Sequence, residues 1–136
     1  MEPNSGRRNV SGGAKWETAY GYSRLVQAGR HVYVTGTTAL LQGGGHVGDG
    51  DAAAQARQAI ANIARALAEV GADLRDVVRT RMFVVDIRRD ADAVGRAHAE
   101  AFDAVRPATT MVEVRRLIED WMLVEIEADA VLGARG

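Results

Sequence analysis

No cysteine occurs among the 136 residues, which excludes disulfides, thiolate metal ligands and a cysteine nucleophile. That absence fits a reducing compartment, and a cytoplasmic protein is the expectation. Aromatic residues make up only 5% and the formal net charge is −1. There is thus no basic aromatic groove, and no electrostatic reason to expect nucleic-acid or membrane binding. No run approaches the ~18 apolar residues of a membrane span, and "MEPNSGRRNVSGGAK" holds no apolar segment of signal-peptide length. The three histidines, His31, His46 and His98, fall in separate elements without metal-ligand spacing. Neither a metal site nor a cofactor is expected, and no serine–histidine–aspartate constellation has a recognisable context. What is present, 47% hydrophobic and 26% charged residues, describes an ordinary globular chain with one modest core.

Residues 1–14 read as a flexible polar tail and residues 15–136 as a single domain. "AYGYSRLVQAG" and "RHVYVTGTTAL" read as two strands, rich in residues that suit pleated backbone and separated at Gly29. "LQGGGHVGDG" contains Gly43-x-Gly45-x-x-Gly48, the spacing of a dinucleotide fingerprint. In that motif the last glycine lies in the opening turn of a helix. Here Asp49 and Asp51 intervene, adding negative charge where phosphate would lie, and a hairpin or lid loop is the better reading. Residues 51–70 carry an apolar stripe of Ile60, Ile63, Leu67 and Val70, with Gln55, Gln58, Asn62, Arg65 and Glu69 opposite. Asp51 suits the N-cap and Gly71 the C-terminal stop. "DVVRTRMFVVDI" is a strand with Val78, Thr80, Met82 and Val84 on one side and Arg79, Arg81, Phe83 and Val85 on the other. A second helix runs from about Asp90 to Val105 and is closed by Pro107. "ATTMVEVRR" and "WMLVEIEADAV" are the last strands. The order β-β-α-β-α-β-β predicts an α+β domain with both helices on one face of the sheet.

"LVEIEADAV" carries Glu125, Glu127 and Asp129 at every second position, with Val124, Ile126, Ala128 and Ala130 between them. A strand puts the acids on one face and the apolar set on the other. With helices over the apolar face, the opposite face presents those acids together with Arg79, Arg81, Phe83, Val85 and Met111. Paired opposite charges interleaved with apolar groups suit a subunit interface better than open water, and an oligomer is expected.

"RPATTMVEVRRL" followed by "LVEIEADAV" resembles the signature of the Rid (YjgF/RidA) family of reactive-intermediate deaminases. The resemblance extends through "YSRLVQAGRHVYVTGTTA", "AAAQARQAIANIARALAEVGADLRDVVRTRMFVVDI" and "GRAHAEAF", over about residues 19–131. It implies a chorismate-mutase-like fold with a mixed sheet, assembled as a homotrimer with small-molecule clefts between neighbouring subunits. In active deaminases of that family an arginine after the signature's proline–alanine clamps the substrate carboxylate. A glutamate, the first of a Glu-x-Glu pair, orients the water that attacks the imine carbon.

On that resemblance Glu125 is the catalytic glutamate, and Tyr22, Thr35 and Gly36 line the cleft. Thr110 and Met111 follow the clamp position, Gly95 stands at a helix position that commonly faces the cleft, and His98 one turn later matches a frequent tyrosine. The clamp position itself is Thr109. A guanidinium grips a carboxylate through two parallel hydrogen bonds, whereas threonine offers one neutral bond. At ~1.5–3 kcal/mol for a charged hydrogen bond, its loss implies roughly 10- to 150-fold weaker retention of a carboxylate substrate. Either Arg24, Arg81, Arg115 or Arg116 replaces the clamp, or the Thr109–Thr110 pair suits a neutral ligand. The residues read alone also allow plainer roles: Glu125 as an interface ion-pair partner, Tyr22 as packing, His98 as a helix-surface or interface group, Trp121 as strand-end packing. Three functions follow. The first is a trimeric hydrolase of small imines, enamines or related C–N compounds. The second is a non-catalytic trimer that binds a metabolite or a protein partner. The third is the endoribonuclease activity with which relatives have been labelled, which the charge of −1 disfavours.

Overall fold

The computed structural model of the protein describes residues 6–135; the first five residues of the expected tail lie outside them. Strands β1 (Arg7–Val10), β2 (Leu25–Ala28), β3 (His31–Thr37), β4 (Val77–Val84), β5 (Ala108–Glu113) and β6 (Val124–Val131) form one sheet. Helices α1 (Lys15–Tyr20), α2 (Ala52–Ala68) and α3 (Ile87–Phe102) complete the domain. The strand order is β1-β2-β3-β6-β4-β5. Only β4 and β5 run parallel, so the sheet is mixed. The expected order β-β-α-β-α-β-β holds from β2 to β6.

Two elements precede it and correct the reading of a tail. Residues 7–10 pair antiparallel with β2, Arg7 opposite Ala28 and Val10 opposite Leu25. Lys15–Tyr20 is helical, so Ala19 and Tyr20 do not belong to the first predicted strand. Both elements are too short to show a period, and α1 has an alanine at its N-cap. Its order comes from Glu17, whose buried carboxylate accepts from Ser11 Oγ and from the amides of Gly12 and Ala14, each at 3.1 Å. Gly21 ends the helix with φ 76°, a left-handed conformation that a side chain would disfavour.

β6 lies between β3 and β4, and its alternation sets the architecture. Val124, Ile126 and Ala128 are fully buried and Ala130 nearly so, beneath α2. Val32, Val34, Thr80, Met82 and Val84 continue this face, with Ile60, Ile63 and Leu67 of α2 and Val94 and Phe102 of α3 packed on it. The expected stripe of α2 is therefore the core face. Its supposed wet side is not uniformly wet: Gln55 and Asn62 are buried. Gln55 donates to the carbonyls of Gly48 and Trp121, both at 2.9 Å, and accepts from the Leu123 amide at 2.8 Å. Asn62 donates to the carbonyls of Thr38 and Leu40 at 3.0 and 2.7 Å. These amides satisfy loop backbone that would otherwise be buried without partners.

Three boundaries also move. A bulge between Val77 and Arg79 turns Val77 inward and leaves Val78 41% exposed, reversing the expected placement of Val78. α3 begins at Ile87, because the Asp86 side chain caps the Arg89 amide, and it stops at Phe102. Met111 pairs with Met82 and packs on the core, so it is not on the open face with the charges. The glycine loop is a hairpin with a Leu40–His46 bridge. Gly48 has φ 82° and sits so close to α2 that a Cβ would meet Gln55 Cγ at 2.9 Å, which explains that glycine without a phosphate.

The chain's end is tied down by Arg135, whose Nε and Nη2 both donate to the fully buried carboxylate of Asp76. The Arg135 guanidinium holds the Asp76 carboxyl below its ordinary range. Arg135→Met leaves the buried Asp76 carboxylate without its cation and is expected to lower the urea midpoint at pH 7. A depressed carboxyl pKa stabilises above the unfolded value and loses that contribution as pH falls through the folded one. The difference between wild type and variant should therefore begin to shrink near pH ~4 and close only as pH falls through the depressed folded value.

Candidate functional site

The open face of the sheet brings several of the expected residues together. Glu125 stands on β6 opposite Phe83, and Glu127 stands opposite Arg81. Arg81 Nη1 bonds both Glu127 Oε1 at 3.1 Å and Asp129 Oδ2 at 3.2 Å. That charge is shared with two acids of the neighbouring strand. Glu125 has no such partner among the described residues. Burial pushes its carboxyl above the ordinary range, the Glu127 charge adds to this, and the Arg24 charge partly offsets both. The result is a half-buried carboxyl poised to exchange a proton nearer neutrality than a free one.

Gly36 makes room for it. Residues 34–37 form an irregular step in the β3–β6 ladder, and a Cβ at Gly36 would stand 2.5 Å from Glu125 Oε1. Arg24, immediately before β2, donates from Nη1 to Thr37 Oγ1 at 2.8 Å and reaches the Gly36 carbonyl at 3.5 Å. Tyr22 follows α1; burial raises the pKa of its phenol, with Arg24 lowering it and Glu125 raising it. Tyr22, Thr35, Tyr33, Glu127 and Asp129 line a hollow of about 630 Å³ on the open face. Tyr22 and Thr35 line this hollow, while Gly36 packs on Glu125 and Arg24 lies beside Gly36; neither Gly36 nor Glu125 is among the lining residues.

Thr109 lies elsewhere. On β5 it pairs with Thr80 of β4 and faces the helices, whereas Thr110 pairs with Arg81 and faces the open side. Thr80 Oγ1 donates to Thr109 Oγ1 at 2.7 Å and lies 2.8 Å from His98 Nε2. A neutral His98 ring either donates to Thr80 from Nε2 or accepts from it there, according to its tautomer. Burial lowers the His98 pKa and favours that neutral ring, which also tilts against Phe102 at 4.6 Å. His98 is therefore half-buried and bonded inward, not free on the helix surface. Gly95, three residues before it on α3, borders open space. Gly95, His98 and Thr109 form a second group, with Met111 on the core beside it.

Within one protomer the two groups cannot hold one ligand. Glu125 is on the open face at the Phe83 rung and Thr109 on the helix face at the Thr80 rung, with β4 between their strands. Two strand spacings and three rungs separate them by roughly 14 Å, on opposite sides of the sheet. Among the described residues no cluster of three or more histidine, cysteine or acidic side chains could hold a metal ion. No described helix is long and apolar enough to cross a membrane. Sequence reasoning named Arg24 only as one of four candidate cations and missed Glu17. The capping pattern around Glu17 was hidden by Ala14 at the position where a polar cap is usual.

The same residues place the chain among known proteins. The endoribonuclease L-PSP family matches residues 13–132, and the chain belongs to that family, also called Rid or YjgF. An uncharacterised protein of Streptomyces coelicolor is 43% identical over 127 residues, covering 93% of each chain. The human 2-iminobutanoate/2-iminopropanoate deaminase is 32% identical over 127 residues, covering 93% of this chain and 91% of its own. The crystal structure of a YjgF/YER057c/UK114 family member from Mycobacterium tuberculosis superposes with a TM-score of 0.84 at 51% identity, covering 93% of this chain and 99% of the other.

The local electrostatics can be checked by following the Glu125 carboxyl carbon by NMR through a pH titration. Its midpoint is expected above that of a model glutamate. Arg24→Gln should move it further up, because the offsetting cation is gone, and Glu127→Gln should move it down. A Gly36→Ala chain should fold yet lose the wild-type Glu125 titration, since the new methyl displaces the carboxylate.

Proposed function

We propose that the protein is a homotrimeric hydrolase of small imines, enamines or related C–N compounds, working in clefts between protomers. The observation that carries this reading is Glu125: a half-buried carboxyl of raised pKa, set against a glycine and aimed from the open face of the sheet. Burying that face against other copies would cover Tyr33, Phe83 and Val112 together with the Arg81–Glu127–Asp129 cluster. Similarity to proteins named as 2-iminobutanoate/2-iminopropanoate deaminases supports the chemistry.

In this reading Glu125 accepts a proton from water as the oxygen bonds to the imine carbon. It returns that proton to nitrogen, giving a carbinolamine, and then moves the hydroxyl proton to nitrogen as the C–N bond breaks, releasing ammonia and a carbonyl product. Tyr22, Thr35 and Gly36 shape the pocket and hold the reacting carbon near the water. Gly95, Thr109, Thr110 and Met111 border the other half, where Thr109 alters specificity by offering no charge for a carboxylate. A metabolite-binding trimer without catalysis is the second reading, favoured by the same Thr109, whose hydroxyl is already engaged by Thr80. Ribonuclease action has less support, since a net charge of −1 supplies little for a phosphate backbone.

Ammonia release from freshly generated 2-aminoacrylate tests the reading. Wild type should turn over slowly, Glu125→Ala should abolish turnover, and Thr109→Arg should raise kcat/KM by roughly 10- to 150-fold if charge is what position 109 lacks. Activity that survives Glu125→Ala would overturn the assigned role. Sedimentation should give about three times the chain mass of 14.6 kDa; a stable folded monomer at micromolar concentration would remove the inter-protomer cleft.

A further inference from the structure

A separate cleft of about 500 Å³ opens between α2, residues 11–14 and the glycine-rich hairpin, well within the size range of small-molecule sites. We propose that it binds a small organic carboxylate with a short apolar body, gripped by Arg24 and Arg65. The site is complete in one protomer and does not depend on the role given to Glu125.

Arg24 is the centre of the argument. Its Nη1 is used by Thr37 and the Gly36 carbonyl, but among the described residues Nε and Nη2 have no acceptor and no carboxylate lies within ion-pair distance. Burial disfavours its charge, Glu17, Tyr22 and Glu125 offset this in part, and the neighbouring Arg65 charge adds to it. Arg65 lines the same cleft, is exposed, and spends only Nη2, on Asn62 Oδ1 at 3.0 Å. A guanidinium stays protonated in proteins and offers five donors in a fixed fork. Two such groups beside one cleft, each with donors that no described residue engages, match the two oxygens of a carboxylate.

The nearby acids do not serve this purpose. Glu17 is occupied by Ser11, Gly12 and Ala14. Glu119 takes the Trp121 indole proton at 2.6 Å and faces Lys15 at 3.8 Å. Glu69, at the rim, is exposed to water. The head of Arg24 is held in place rather than left to swing, because Gly12 packs so closely on its stem that a Cβ there would meet Arg24 Cβ and Cγ at 3.2 Å. Leu40, Leu41 and Trp121, the last stacked on His46 at 3.8 Å, supply apolar wall. A bare phosphate would leave that wall wet, whereas a carboxylate on a short hydrocarbon chain would cover it.

The chain has two tryptophans, Trp16 and Trp121, and both line this cleft, so intrinsic emission reports occupancy directly. The full chain is titrated with hexanoate, acetate, inorganic phosphate and 1-hexanol. Hexanoate should shift the emission saturably, with the other three at least about tenfold weaker. Arg24→Gln should weaken hexanoate by about tenfold or more, as expected for loss of a charged hydrogen bond. Arg65→Gln, an exposed change that keeps the fold as judged by its melting curve, should weaken it by at least about fivefold, which keeps the test decisive if Arg24→Gln unfolds. The proposal is overturned by an equal response to hexanol, by phosphate binding as tightly as hexanoate, by no saturable response, or by unchanged binding in Arg65→Gln. Ammonia release in the Glu125 assay plays no part in these readings, so failure of either proposal is distinguishable from failure of the other.

Discussion

Glu125, Glu127 and Asp129 sit on the central strand of a sheet whose other face is dry, and that parity constrains everything around it. A slip of one residue in β6 would drive three carboxylates beneath α2 and expel Val124, Ile126 and Ala128. Burying even one unpaired carboxylate there costs several kcal/mol, a large part of what a domain of this size has to spare. Neighbouring strands must therefore adjust to β6, and both do so through irregular steps, at residues 34–37 of β3 and at residues 77–79 of β4. The first step creates the space beside Gly36 that Glu125 fills. The second returns β4 to phase so that Arg81 meets Glu127 and Asp129. Site geometry here is a by-product of keeping the register of one strand.

The three acids of β6, alike in sequence, separate chemically through what lies across from them. Glu127 and Asp129 share the Arg81 guanidinium, whereas Glu125 faces Phe83 and the bulge at Gly36. The Glu125 carboxyl is pushed upward, by burial and by the charge of Glu127. Two carboxylates on one strand face, one neutralised and one destabilised, is the arrangement expected where one of them exchanges protons.

Long periodic segments were legible. The alternation of β6, the stripe of α2 and the parity of Arg79, Arg81 and Phe83 follow from periods of two and 3.6, and the structure keeps them. Short elements were not. β1 has four residues and α1 six, below the length at which a period shows, and both are ordered by partners far along the chain or by a single carboxylate, Glu17. Gln55 and Asn62 looked like solvent-facing residues because spacing reports which side of a helix they occupy, not whether a loop lies across that side. Met111 and Val78 were misplaced for a related reason: the phase of a strand can be read only up to its bulges and its ends. His98 paired with Thr80 depends on a contact between α3 and β4 that no local pattern encodes.

Thr109 and Arg24 gain meaning when taken together. At the β5 edge an arginine would have projected a charge; threonine instead joins a neutral chain with Thr80 and His98, in which the Thr109 oxygen accepts from Thr80. A ligand arriving there meets a neutral hydroxyl able to donate one hydrogen bond, and no charge. At the bulged end of β3 the situation is reversed, with a guanidinium desolvated and short of acceptors beside Gly36 and Thr37. Positive charge able to hold an anion is therefore displaced from the sheet edge to the end where Glu125 lies. There it does two things at once: it moderates the upward shift of the Glu125 carboxyl and leaves its spare donors facing the neighbouring cleft. An anion seated on Arg24 would neutralise that moderating charge, so occupancy of the cleft and the proton affinity of Glu125 must be thermodynamically linked, each altering the other by the same free energy.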